Sequence, residues 1–76
     1  MAPTVIAIED MSFPQRLTAL RKQHSLTQQA LAERVGIHVT QLRRYEAGTA
    51  QPTLDVLRRI AVSLSVRVRA VINRAV

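Results

Sequence analysis

The side chains best suited to chemistry lie between positions 39 and 44, where Val39, Thr40, Arg43 and Arg44 share the outward side of a short helix. The planar fork of Arg44 matches O6 and N7 of a guanine in a bidentate way. Val39 and Thr40 offer apolar contact to a thymine methyl group, and the Thr40 hydroxyl can also hydrogen-bond a base edge. Arg43 points more to the side, toward a base or a neighbouring phosphate. Gln28, His38, Thr49 and Gln51 are placed around this helix as polar groups able to hold phosphate oxygens. Gln28 opens the preceding helix, where backbone N–H groups add to its amide. For each of these side chains the plain alternative is a solvated surface residue, so the surrounding pattern has to decide.

That pattern is two short amphipathic helices joined by a tight turn, residues 26–48, LTQQALAERVGIHVTQLRRYEAG. Gly36 sits at the hinge, where a residue without a Cβ takes a left-handed conformation at little cost. Before it, Leu31, Ala32 and Val35 fall on one face; after it, Ile37, Leu42 and Tyr45 fall on another. Ala32 is small where the two helices must approach closely. Thr27 is the expected cap of the first helix and His38 a weaker, unusual cap of the second. Leu26 with Leu31, and Ile37 with Leu42, have the spacing of hydrophobic staples. A basic-fronted second helix held by a fixed turn is a device that reads a DNA major groove.

Upstream, Ser12 and Gln15 have capping-box spacing and Pro14 suits an opening turn, so a helix is expected from there. Phe13, Leu17 and Leu20 form its apolar stripe, with Arg16, Arg21 and Lys22 expected outside. Gly48 ends the basic-fronted helix, and residues 49–52 read as a loop. A further helix starts at Thr53, with Asp55 in its positive first turn and Leu54, Leu57, Ile60, Ala61 and Leu64 expected inside. Residues 65–76 read as a fifth helix capped by Ser65, with a short strand over the alternating valines and arginines as the alternative. Residues 1–11 form a leader, either disordered or a short strand. The expected fold class is therefore all-α, a compact bundle of four to five short helices with a helix-turn-helix, in one domain spanning residues 12–76.

Composition narrows the function classes. Eleven Lys or Arg, ten of them arginine, against five Asp or Glu give a net charge of +6, which favours a polyanionic partner. With no cysteine there is no disulfide framework and no thiolate metal site. His24 and His38 are too few and too far apart to suggest zinc, and no cofactor motif is visible. No paired acids, Ser-His-Asp set or phosphate loop is present, so an enzyme is not expected. Tyr45 faces inward on the periodicity and reads as core. No apolar run reaches the length of a membrane span and no signal peptide is read, so the expectation is a cytoplasmic protein without a membrane partner.

The pattern of L-R in the first helix, L-T-Q-x-x-L-A-x-x-V-G-I through the turn and Y-E-x-G after it resembles the phage repressor and Cro type (Xre-like) of helix-turn-helix DNA-binding proteins, over Phe13 to about Leu64. The resemblance implies a helical bundle that binds operator DNA as a homodimer. It assigns Gln28 as a phosphate-gripping glutamine, Val39, Thr40 and Arg44 as base contacts with Arg43 beside them, and Arg21 with Glu46 as an ion pair between the first and recognition helices. His38 and Val39 depart from the residues usual at their positions, and residues 65–76 are more basic than the fifth helix common in that family. The function implied is a sequence-specific regulator, a repressor acting on a palindromic operator. The alternative is an antitoxin-like or adaptor protein that holds a toxin or other protein partner through the apolar flanks at 5–8 and 66–72. A weaker third reading, membrane or RNA association through Arg67, Arg69 and Arg74, follows from the basic C-terminal segment.

Overall fold

The computed structural model describes residues 12–65, which fold as α1 (Phe13–Gln23), α2 (Gln28–Val35), α3 (Val39–Ala47) and α4 (Leu54–Ser63). The leader expected at 1–11 and the helix or strand expected at 66–76 lie outside the described residues. No strand occurs among residues 12–65, in line with the all-α expectation. No helix among them is long and apolar enough to cross a membrane.

Each helix begins where its local chemistry satisfies orphan N–H groups. At α1, Gln15 Oε1 accepts from the Ser12 backbone N–H at 3.2 Å, and Pro14 occupies the first turn. Thr27 accepts from the Ala30 N–H at 3.0 Å and Thr53 from the Val56 N–H at 3.3 Å. His38 does cap α3: its Nδ1 accepts from the Thr40 N–H at 3.1 Å. An unprotonated imidazole nitrogen thus takes the place of the usual hydroxyl or carboxylate oxygen.

The helix ends are equally local. Gly36 (φ 81°) and Gly48 (φ 80°) adopt the left-handed conformation. The following N–H groups reach back to close each last turn, Ile37 to Ala32 O and Thr49 to Arg44 O, both at 3.0 Å. Ser25 does the same for α1 without being glycine, at φ 55°, with the Leu26 N–H on Arg21 O at 3.1 Å. Ser65 takes φ 55° as the chain leaves α4, not the extended geometry of the N-cap expected of it.

The core lies where α3 packs on α1 and α2, and α2 packs on α4. Leu17, Leu31, Leu42, Ile60 and Leu64 are fully buried, with Leu20, Ala32, Val35, Tyr45 and Ala61 around them. Each buried leucine or isoleucine contributes about 1.5–3 kcal/mol of transfer free energy. Ala32 is 1% exposed at the α2–α3 approach, as its size suggested.

Three burial expectations are also corrected, those for Leu54, Arg16 and Arg21, the last with a side chain only 12% exposed. Leu54 is 54% exposed, because it shares the i, i+4, i+8 stripe of exposed Arg58 and Val62, beside the face that buries Ile60, Ala61 and Leu64. α4 packs on α2. Arg16, expected outside, is 2% exposed. It lies one turn before Leu20 on α1, so its long aliphatic stem shares the flank that meets the core.

Candidate nucleic-acid interface

The outer face of α3 follows from what its inner face buries. Leu42 and Tyr45 go inward, and Tyr45 accepts a hydrogen bond from Gln41 Nε2 on its hydroxyl at 3.1 Å, which ties off its polar tip. Thr40, Arg43, Arg44 and Ala47 are left exposed at helical spacing i, i+3, i+4 and i+7. Arg43 and Arg44 form no ion pair among the described residues, so both charges stand free on that face. Val39 is half-buried and packed against the core, which leaves only part of it outside. His38 is exposed at the N-terminus of α3, and Thr49 and Gln51 are exposed in the loop beyond its C-terminus. Thr49 Oγ1 also donates to Arg44 O at 3.4 Å, a weak closing bond for the helix.

What orients α3 is the Glu46 carboxylate, whose side chain is 6% exposed. Arg21 donates to it twice, Nε to Oε2 at 2.7 Å and Nη2 to Oε1 at 3.0 Å. Thr18 Oγ1 adds a bond to Oε1 at 3.0 Å and Gln28 Nε2 another at 3.1 Å. Arg21 Nη1 meanwhile donates to Leu26 O at 2.8 Å, fixing the link between α1 and α2. One carboxylate therefore joins α1, α2 and α3, with charge-assisted bonds that are short and directional. This places the expected Arg21–Glu46 pair in contact and brings in Thr18, which the sequence reading passed over. The signal was there: Thr18 stands one turn before Arg21 on the same helical side.

Gln28 is half-buried and held by Glu46, so it is not a loose surface amide. An amide nitrogen carries two N–H donors, and Glu46 takes one. Gln28 is also the first residue of α2, at the end where the helix dipole is positive.

Arg59 was also passed over. From α4 its Nη1 reaches Val35 O, the last carbonyl of α2, at 3.5 Å, while Nη2 pairs with Asp55 at 2.6 Å. Its signal was the i, i+4 spacing to Asp55; its reach to the turn depends on how α4 docks. Chemically, the arrangement presents free arginines and a threonine on a rigidly held helix, flanked by polar groups at two helix ends.

The helix-turn-helix family model matches residues 17–70 of the chain. Over 64 residues the chain is 33% identical to the cryptic phage CTXphi transcriptional repressor RstR of Vibrio cholerae, covering 84% of the chain and 57% of the relative. It is 34% identical over 63 residues to the immunity repressor protein of Bacillus phage phi105, covering 83% and 44%. It is 49% identical over 43 residues to YobD of Bacillus subtilis, an uncharacterized HTH-type transcriptional regulator, covering 57% and 38%. The chain thus spans 38–57% of the length of these curated relatives.

Proposed function

The chain belongs to the phage repressor and Cro type (Xre-like) of the helix-turn-helix family, and from that premise we propose that it is a sequence-specific DNA-binding transcriptional regulator, a repressor that binds a palindromic operator as a homodimer. α3 enters the major groove with its first turns against the bases. Arg44 reads a guanine with its fork, Thr40 and the outer part of Val39 meet thymine methyl groups, and Arg43 reads an adjacent base or its phosphate. Gln28, His38, Thr49 and Gln51 hold the phosphates on either side and set register. Residues 12–76 act as one domain in the cytoplasm, and the reading calls for no cofactor.

The observation that carries this reading is the free pair Arg43 and Arg44, exposed beside Thr40 on a helix whose direction is fixed by Glu46. Bidentate readout needs that fixity, because a helix free to rock loses the angular match on which base discrimination depends. A net charge of +6 supplies the attraction to DNA but no preference among sequences.

The test is selection of bound duplexes from a random library at two salt concentrations. A two-fold symmetric site, with half-sites about one helical turn (~34 Å) apart and a preference that survives added salt, is the expected result. Enrichment of no sequence, with binding that collapses as salt rises, overturns it and leaves charge as a non-specific handle.

A further inference from the structure

Two large apolar side chains stand exposed among the described residues, Leu54 at 54% and Val62 at 78%. Both lie on α4, with Arg58 between them at i+4 spacing, so the three form one stripe along the helix. Beside the stripe, Arg34 of α2 joins Arg58, Arg59, Val62 and Ser63 around a shallow groove. Arg59 is paired with Asp55, whereas Arg34 and Arg58 are exposed and make no ion pair among the described residues. Apolar surface bordered by unpaired cations is complementary to an apolar segment that carries carboxylates.

The chain contains such a segment. Residues 5–8 are Val-Ile-Ala-Ile, followed at once by Glu9 and Asp10. Of the five acidic residues in the sequence, the other three are already engaged. Glu33 accepts from Gln29, Glu46 from Arg21, and Asp55 from Arg59. The segment joins the described residues at Ser12, and the next residue, Phe13, lines a groove with Gln51, Pro52 and Leu57, so that junction lies near α4. From Leu57 to Val62 the helix rises only about 8 Å. Residues 5–11 reach up to about 25 Å when extended. The order also agrees: outward from Ser12 the acids come first and the apolar run second, as Arg58 precedes Val62 along α4.

We propose that residues 5–10 dock on α4 of their own chain, with Glu9 and Asp10 on Arg58 and Arg34 and the apolar run over Val62. Docking there holds two carboxylates away from the face that carries Arg43 and Arg44, where they would repel phosphate. A second copy packed symmetrically on the same stripe would bring each Arg58 toward its equivalent, a like-charge contact that disfavours that occupant.

The sequence has no cysteine, so introduced pairs report cleanly. In the full chain carrying I8C and V62C, mild oxidation is expected to give a crosslink at monomer mass. Adding E9K and D10K should abolish it, and adding R34E and R58E to that variant should restore it. Circular dichroism checks that each variant is folded; among the described residues the substituted positions Arg34, Thr40, Arg58 and Val62 lie outside the core cluster. Crosslinking confined to dimer mass, indifference of the I8C–V62C crosslink to the lysine substitutions, or equal crosslinking of I8C to T40C on α3 overturns the proposal.

Discussion

Arg21 and Glu46, twenty-five residues apart, meet fork to fork, with Nε 2.7 Å from Oε2 and Nη2 3.0 Å from Oε1. Their side chains are 12% and 6% exposed, so water screens the pair poorly and neither charge has an alternative partner of equal quality. The pair sets the angle between α1 and α3, and through α3 the direction in which Arg43 and Arg44 point.

Removing one member leaves the other charge buried. E46A is therefore expected to destabilise the fold by about 3–5 kcal/mol in urea denaturation. The double variant R21M/E46L should recover most of that loss, because an apolar pair carries no desolvation cost. Equal instability of the single and double variants would mean that packing, not charge, governs the site.

The DNA contacts divide by kind. R44A should cost about 1–3 kcal/mol on the selected operator and relax preference at one base pair, with little effect on random duplex. Q28A should instead weaken specific and random DNA alike, since a phosphate contact carries no sequence information. Titration of both variants against both duplexes checks this, and equal losses throughout for both would defeat the assignment.

Gly36 and Gly48 share a backbone conformation but not their surroundings. A Cβ at Gly36 would lie 3.7 Å from Arg59 Nη1, an ordinary contact, so G36A should cost only the left-handed strain, about 1–2 kcal/mol. At Gly48 the Cβ would come within 3.3 Å of Pro14 Cγ on a stiff ring, so G48A should cost more. Paired denaturation midpoints decide the order.

His38 caps α3 with a nitrogen where an oxygen is preferred. H38D is expected to raise stability by about 0.5–1 kcal/mol through a better cap and a favourable charge at the helix N-terminus. The same carboxylate faces the proposed phosphate side, so affinity for every duplex should fall while the melting temperature rises. A variant that gains both would remove His38 from the interface.

Much of this fold was legible before any coordinates. Thr27 and even His38 cap the helices they were expected to cap, Gly36 stands in the left-handed turn expected of it, and α3 ends at Gly48 and α4 starts at Thr53 as expected. Leu31, Ala32, Val35, Leu42 and Tyr45 are buried as their periodicity indicates. The exposed face of Thr40, Arg43 and Arg44 follows from the same period. Less legible was how far the inner helix flank takes in Arg16, since an arginine stem packs like an aliphatic chain while its charge argues for solvent.

The capping and turn bonds span at most five residues, from Thr27 to Ala30 or from Ala32 to Ile37, and neighbours along the chain suffice to specify them. Element ends, helix type and the turn were therefore determined by the sequence alone. The four bonds on Glu46 cross 18 to 28 residues, and the grip of Arg59 on Val35 crosses 24. Such contacts depend on the angles at which helices pack. Those angles arise from the whole core settling at once, so only the tertiary structure decided them.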